Sequence, residues 1–171
     1  MVRATLFRSP WGWVGIAESS KGICAVSLPQ ATKREAESSL RTSAGPFTVG
    51  KPSTALQRAK GQLLRYLAGS SRTFSLPLDV EQGTVFQRRV WQVLRRMPYG
   101  SLRSYQWVAA RVGGERYARA VGNAVGANPI PIVIPCHRVV AQDATLGGFS
   151  GGLSMKRRLL NLEGTLSRVR R

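Results

Sequence analysis

Ser104-Tyr105-Gln106-Trp107-Val108-Ala109-Ala110-Arg111-Val112 is followed by Gly113-Gly114-Glu115, and then by Tyr117-Ala118-Arg119-Ala120-Val121-Gly122-Asn123-Ala124-Val125. A serine suited to cap a helix, an apolar-periodic run, a glycine-bearing turn and a second run predict two short helices, over 105–112 and 117–125. That is the helix-turn-helix plan. The second run is rich in small side chains: Ala118, Ala120, Gly122, Ala124 and Gly126. Small residues let a helix backbone approach its partner closely. A neighbouring helix explains the alanines, and a DNA groove explains Arg119 among them as well.

Downstream, Asn128-Pro129-Ile130-Pro131 leads through Ile132-Val133-Ile134 to Pro135-Cys136-His137-Arg138-Val139. Prolines at 129, 131 and 135 forbid a regular central strand, so a braced, buried connector is expected here. It delivers one of two cysteines beside the only histidine of the chain. A thiol is a weak nucleophile until it loses its proton, and an imidazole is the commonest group placed to take it. In an isolated Cys-His pair the commoner reading is a buried structural cysteine beside a core histidine. In an extended segment the two side chains leave on opposite faces, so either the chain turns at Cys136 or a water bridges the pair. The run Gly147-Gly148-Phe149-Ser150-Gly151-Gly152 then precedes a helix that Leu153, Leu159, Leu160 and Leu162 place against the core, ending at Asn161-Leu162-Glu163-Gly164. Glu163 is the candidate third member that orients the base. The amides near 150–152, at a helix N-terminus, are expected to lower the thiol's pKa or to hydrogen-bond an oxygen gaining charge, leaving an ionised sulfur in a pocket.

Upstream, Thr84 and Gln87 predict a capping box for a helix with Phe86, Val90, Val93, Leu94 and Met97 at helical spacing, stopped by Pro98-Tyr99-Gly100. The first thirty residues read differently. Val2 to Phe7, Trp13 to Ala17 and Ile23 to Leu28 are short β-rich runs separated by turn signals, a small antiparallel meander. A polar helix over 32–41, a loop over 42–52, a helix from Ser53 or Thr54 to Gly69 and a strand over 73–78 follow. The whole is α+β, divided into an N-terminal domain 1–80, a C-terminal domain 81–164 and a basic tail 165–171, with Arg168 to Arg171 expected to be disordered.

The 171 residues carry 26 Lys+Arg against 8 Asp+Glu, a formal net charge of +18. Residues 1–80 hold 11 basic and 4 acidic groups and residues 81–171 hold 15 and 4, so the excess is spread over both halves. Such a field attracts polyanions, nucleic acid above all. No apolar run approaches the ~20 residues of a membrane span, and residues 1–6 lack a secretory core, so a soluble, cytoplasmic or nucleoid-associated protein is expected. One histidine and no C-x-x-C leave too few ligands for zinc, and no cofactor is expected. Cys24, in Gly22-Ile23-Cys24-Ala25-Val26, reads as a buried strand residue.

Ser104-Tyr105-Gln106, Arg119-Ala120-Val121-Gly122, Asn128-Pro129, Pro135-Cys136-His137-Arg138-Val139, Ser150-Gly151-Gly152 and Glu163-Gly164 resemble the O6-alkylguanine-DNA alkyltransferases in order and spacing. Residues 1–80 fit that family's N-terminal domain in length and layout, which implies a ribonuclease H-like fold. The resemblance implies direct-reversal repair, in which an alkyl group moves from guanine O6, and less readily thymine O4, onto Cys136. It implies His137 as the base acting through a water, Glu163 as the carboxylate holding it, and Asn128 as the residue shaping the turn behind the sulfur. Tyr105 matches the hydroxyl that helps rotate the nucleotide and protonates the purine, and Arg119 the finger that fills the vacated stack. Ser150 matches the lid, Lys156 a pocket-supporting lysine, and the Cys136 and Val139 backbone the acceptors of the guanine amine; Ala118, Ala120 and Gly122, the small residues around Arg119, are expected at the DNA surface. The implied partner is double-stranded DNA with alkylated guanine, met in the minor groove by a monomer. Tyr117, Asn123 and Phe149 depart from the family's commoner residues. The competing readings are a non-catalytic DNA-binding protein, either a helix-turn-helix regulator or a lesion-flagging relative of the alkyltransferases, and a thiol hydrolase or redox enzyme. Cys136 in its motif argues against the lesion-flagging relative, and a lone adjacent histidine with no resolving cysteine nearby argues against the thiol enzymes.

Overall fold

The β-rich runs that open the chain pair with one another. In the computed structural model, which describes residues 1–171, β1 (Arg3–Ser9) and β2 (Gly12–Ser19) form an antiparallel hairpin that sets Arg3 opposite Glu18 and Ser9 opposite Gly12. Gly12 turns the chain at φ 121°. A Cβ there would stand 2.4 Å from the Gln30 carbonyl oxygen, so only glycine fits. β3 (Gly22–Val26) pairs antiparallel with β2, and β4 (Thr48–Val49) pairs parallel with β1, giving the sheet order β3-β2-β1-β4. β4 lies inside the stretch the sequence predicts as a loop, because two residues are too few to carry a period.

α1 (Lys33–Ala44) opens with a complete capping box between Thr32 and Glu35, and α2 (Thr54–Leu67) with the Ser53 hydroxyl accepting from the Leu56 N–H. α1 runs three residues past its expected end. Leu40 of α1 packs with Ala4, Ala17, Cys24, Ala25 and Phe47 in one buried cluster. Burying each such leucine stabilises the fold by about 2 kcal/mol. The strand expected over 73–78 is reduced to a single bridge from Leu78 to Ile23. Pro77 has no N–H to give a ladder, and the Ser75 backbone is already held by the Gln62 side chain, at 2.9 and 3.2 Å.

By packing, the chain divides into two units, Met1–Val80 with Pro129–Pro131, and Glu81–Asn128 with Ile132–Arg171. The connector thus threads the first unit briefly, where the Val26 N–H donates to the Pro129 carbonyl at 3.0 Å. No helix is long and apolar enough to cross a membrane.

The second unit is mostly helical. α3 (Val85–Arg95) carries the expected Thr84–Gln87 capping box and buries Val90, Trp91 and Leu94. β5 (Arg103–Ser104) leads directly into α4 (Tyr105–Val112), whose first turn is capped by the Ser104 hydroxyl accepting from the Trp107 N–H at 3.0 Å. Gly113 and Gly114, at φ 159° and 138°, make the turn. The expected second helix starts one residue later: Glu115–Tyr117 form a single 3-10 turn that leads into it, and α5 runs Ala118–Gly126. Trp91 Nε1 donates to the Ala124 carbonyl at 2.8 Å and ties α5 to α3. β6 (Val139–Val140) pairs parallel with β5, Arg103 with Val139 and Ser104 with Val140, and α6 (Leu153–Leu162) closes the unit by burying Leu159 and Leu160. The tail expected to be disordered is placed here. Leu166–Arg168 form a 3-10 turn, and the Arg170 N–H donates to the Ala144 carbonyl at 2.8 Å.

Candidate active site

The two-residue pairing of β5 with β6 is what assembles the site. It sets the segment just after Cys136 against the segment just before Tyr105, so the cysteine turn lies beside the start of α4. The connector reaches that point by bending at Ile132, a buried β-branched residue at φ 73°. A β-branched side chain in the left-handed region costs on the order of 1–3 kcal/mol, a strain that surrounding packing must hold. Cys136–Arg138 then form one turn of 3-10 helix. Of the two paths open to the sequence, the chain turns.

Cys136 is only 2% exposed. Burial pushes its thiol up to about 11, against the pull of a hydrogen bond from Asn128, the positive charge of Lys156 and the backbone amides of Cys136 and His137. The resting sulfur is therefore a protonated thiol, which corrects the expected ionised sulfur. The groups that favour its anion are those four, and the 150–152 amides are not among them. Asn128 also donates from Nδ2 to the Ile134 carbonyl at 2.8 Å and so braces the turn behind the cysteine.

His137 is fully buried, and its Nε2 bonds Glu163 Oε2. Burial lowers its pKa and the charges of Arg138 and Lys156 add to that, while Glu163 pulls the other way; the ring is neutral at pH 7. With Nε2–H donating to the carboxylate, Nδ1 carries the basic lone pair. Burial alone would raise the Glu163 pKa, but His137 and Arg138 outweigh it and hold the carboxyl at about 2. Its Oε1 accepts from Arg138 Nε at 2.7 Å and from the Gly100 N–H at 3.2 Å.

Lys156, also fully buried, donates from Nζ to the carbonyls of Val139 at 2.7 Å, Leu146 at 2.5 Å and Gly148 at 3.1 Å. Burial pulls its pKa down to about 8. Three acceptors match the three N–H bonds of an ammonium, and Lys156 is charged at neutral pH.

Next to this cluster lies an open cleft of about 510 Å³ lined by Tyr105, Gln106, Ala118, Arg119, Gly122, Val125, Gly126, Gly148, Phe149 and Ser150. Cys136 is not in its wall. The Tyr105 hydroxyl donates to the Gly148 carbonyl at 3.3 Å, and a Cβ on Gly147, itself at φ 68°, would meet the Tyr105 ring at 3.0 Å. Segment 147–149 thus rests on Tyr105. Burial raises the Tyr105 pKa, and the nearby Cys136 charge raises it further.

The structure brings Cys136, His137, Glu163, Asn128, Lys156 and Val139 into one cluster, and Tyr105, Arg119, Ala118, Gly122 and Ser150 into the adjoining cleft. Ala120 is exposed and outside the cleft lining. Sequence reasoning missed Gln106 and the grip of Arg138 on Glu163. The signal for the latter was an arginine adjoining the histidine inside an otherwise apolar stretch.

Fold and site together define a helix-turn-helix protein with a sequestered cysteine beside an imidazole–carboxylate pair. Residues 85–165 match the family described as 6-O-methylguanine DNA methyltransferase, DNA binding domain, and residues 2–80 match the same protein's ribonuclease-like domain. The chain belongs to the 6-O-methylguanine DNA methyltransferase family. It is 41% identical over 160 residues, 93% of either chain, to the constitutive methylated-DNA–protein-cysteine methyltransferase of Bacillus subtilis. Among solved structures it is similar to the O6-methylguanine methyltransferase of Mycobacterium tuberculosis, with 37% identity, a TM-score of 0.77, and coverage of 99% of this chain and 96% of that one. A structure of the Mycobacterium tuberculosis protein in complex with DNA gives 36% identity, a TM-score of 0.80 and coverage of 98% and 94%.

Proposed function

We propose that this protein repairs DNA by taking the alkyl group of O6-alkylguanine, and less readily of O4-alkylthymine, onto Cys136, once per molecule. The observation that carries the reading is a single buried thiol with an imidazole–carboxylate pair on one side and a cleft bearing Tyr105 and Arg119 on the other. A base inside a duplex hides its O6, so the target nucleotide must leave the stack, at a cost of a few kcal/mol. Arg119, exposed on α5 among small residues, fills the gap from the minor groove while the base enters the cleft. The Tyr105 hydroxyl exchanges the Gly148 carbonyl for the purine, and segment 147–150 covers it.

His137 Nδ1 takes the thiol proton through a water, with Glu163 stabilising the imidazolium that forms. The sulfur attacks the alkyl carbon, the S–C bond forms as the C–O6 bond breaks, and the released electron pair enters the purine. Tyr105 gives its proton to the ring and regains one from the His137 pair, so the thiol's proton ends on guanine. The Cys136 and Val139 carbonyls accept from the guanine amine, and Lys156 holds the Val139 carbonyl in place. A thioether has no acidic proton and no easy leaving path, so the protein stops after one turnover. It acts as a monomer on chromosomal DNA, in the cytoplasm or nucleoid. The positive charge of the chain supplies sequence-independent affinity that salt weakens.

Mass spectrometry after exposure to duplex O6-methylguanine tests the proposal. One methyl on the Cys136 peptide and one guanine restored per protein are expected, whereas multiple turnover or an unmodified Cys136 would overturn it.

A further inference from the structure

Glu163 is shared. Its Oε2 faces His137, while its Oε1 is held by Arg138, whose Nε lies 2.7 Å from Oε1 and 3.3 Å from Oε2. The same guanidinium donates from Nη1 to the Met97 carbonyl at 2.5 Å, just past the C-terminal end of α3. Arg138 is itself 6% exposed. A buried arginine that meets a carboxylate edge and a carbonyl at once uses its planar fork, which lysine lacks.

We propose that Arg138 is a positioning residue of the transfer reaction: it clamps Glu163 against His137, fixes the angle between carboxylate and imidazole, and keeps the proton off His137 until the thiol supplies it. The inference rests on the transfer reading above and assigns Arg138 a part in it. Without the clamp, Glu163 would lose a fixed counter-charge, and a buried His137–Glu163 pair would gain by drawing a proton onto the ring. A ring already protonated cannot accept from Cys136. Arg138 supplies the carboxylate with a permanent counter-charge and repels a second positive charge on the ring. The titratable and charged groups around His137 are Cys136 and Arg138 on its own turn, Lys156 and Glu163 from α6 and its end, and Tyr105 from α4 beyond the sulfur. Lys156 and Arg138 favour the neutral ring, and Glu163 opposes them.

His137 is the only histidine in the chain, so NMR of its ring protons reads its protonation without assignment ambiguity. Arg138→Met and Arg138→Lys would be followed by ring titration, by the rate of benzyl transfer from free O6-benzylguanine against pH, and by thermal melting. In Arg138→Met the ring titrates at higher pH than in the parent, and the acid limb of the rate profile moves up with it. Arg138→Lys keeps the charge, so both stay near the parental position, but the fork is lost and the rate falls about tenfold or more. An Arg138→Met ring titration superimposable on the parent's overturns the proposal. Should that variant not fold, an Arg138→Lys rate equal to the parent's overturns it instead. A parent that titrates as expected but transfers no benzyl group sinks the transfer reading and leaves the clamp to the NMR result.

Discussion

Cys24 and Cys136 are both buried, 7% and 2% exposed, and burial pushes both thiols up to about 11. Depth does not separate them; company does. Cys24 lies in β3 among Ala4, Ala17, Ala25, Leu40 and Phe47, and the charged groups near it, Asp79 and Glu18, disfavour its anion further. Around Cys136 the order is reversed. Asn128, Lys156 and two backbone amides all favour the anion, and His137 stands ready for the proton. The strand cysteine fills space, while the turn cysteine is surrounded by everything its thiolate needs once a substrate is present. The sign of the neighbouring groups, which favour the anion at Cys136 and oppose it at Cys24, is what separates the two thiols.

The largest test of this contrast is to remove each sulfur. Cys136→Ser should abolish alkyl transfer, and Cys24→Ser should leave the stoichiometry at one alkyl group per protein. Loss of transfer in both variants would erase the distinction. A middle-sized effect comes from Lys156→Met. The change removes the charge that favours the Cys136 anion and leaves the Val139, Leu146 and Gly148 carbonyls without their donor. It should lower stability by about 2 kcal/mol in urea melts and slow transfer, while alkaline labelling of Cys24 is unchanged. Faster labelling of Cys24 would show a general unfolding effect. The smallest concerns acid. Glu163 is held at about 2 against an ordinary 4.5, so its pairs stabilise the fold above pH 4.5 and that contribution drains away as pH falls toward 2. Glu163→Gln should flatten this acid-side loss, and a substitution beside Cys24 should not; a parallel slope for Glu163→Gln and the parent would place the acid sensitivity elsewhere.

The two regions also differ in how far they can be read from residue order. The helix starts at Ser53, Thr84 and Ser104 were legible because a capping side chain serves amides two or three residues away, and the helices start where those caps place them. The hairpins of the sheet were legible for the same local reason. β4, β5 and β6 were not, since each is two residues long and finds its partner across 36 or more positions of chain. The motif carried Cys136, His137 and Glu163, and the structure joins all three. Residue order did not carry the thiol's protonation, because burial is summed over the whole unit. Nor did it carry the grip of Lys156 on three carbonyls, or of Arg138 on Glu163 and Met97. Those partners are set by where backbone oxygens end up, and a backbone oxygen has no residue-specific signature. Ile132 at positive φ is a further case: nothing in Pro131-Ile132-Val133 announces a left-handed bend.

The burial of Cys136, 2% exposed and outside the wall of the open cleft, bears on the lifetime of the molecule in a cell. A reagent that works once is ruined by any stray oxidant or electrophile that arrives before damaged DNA does. Keeping the sulfur buried and protonated slows its meeting with such species, and so keeps each copy fresh through idle periods.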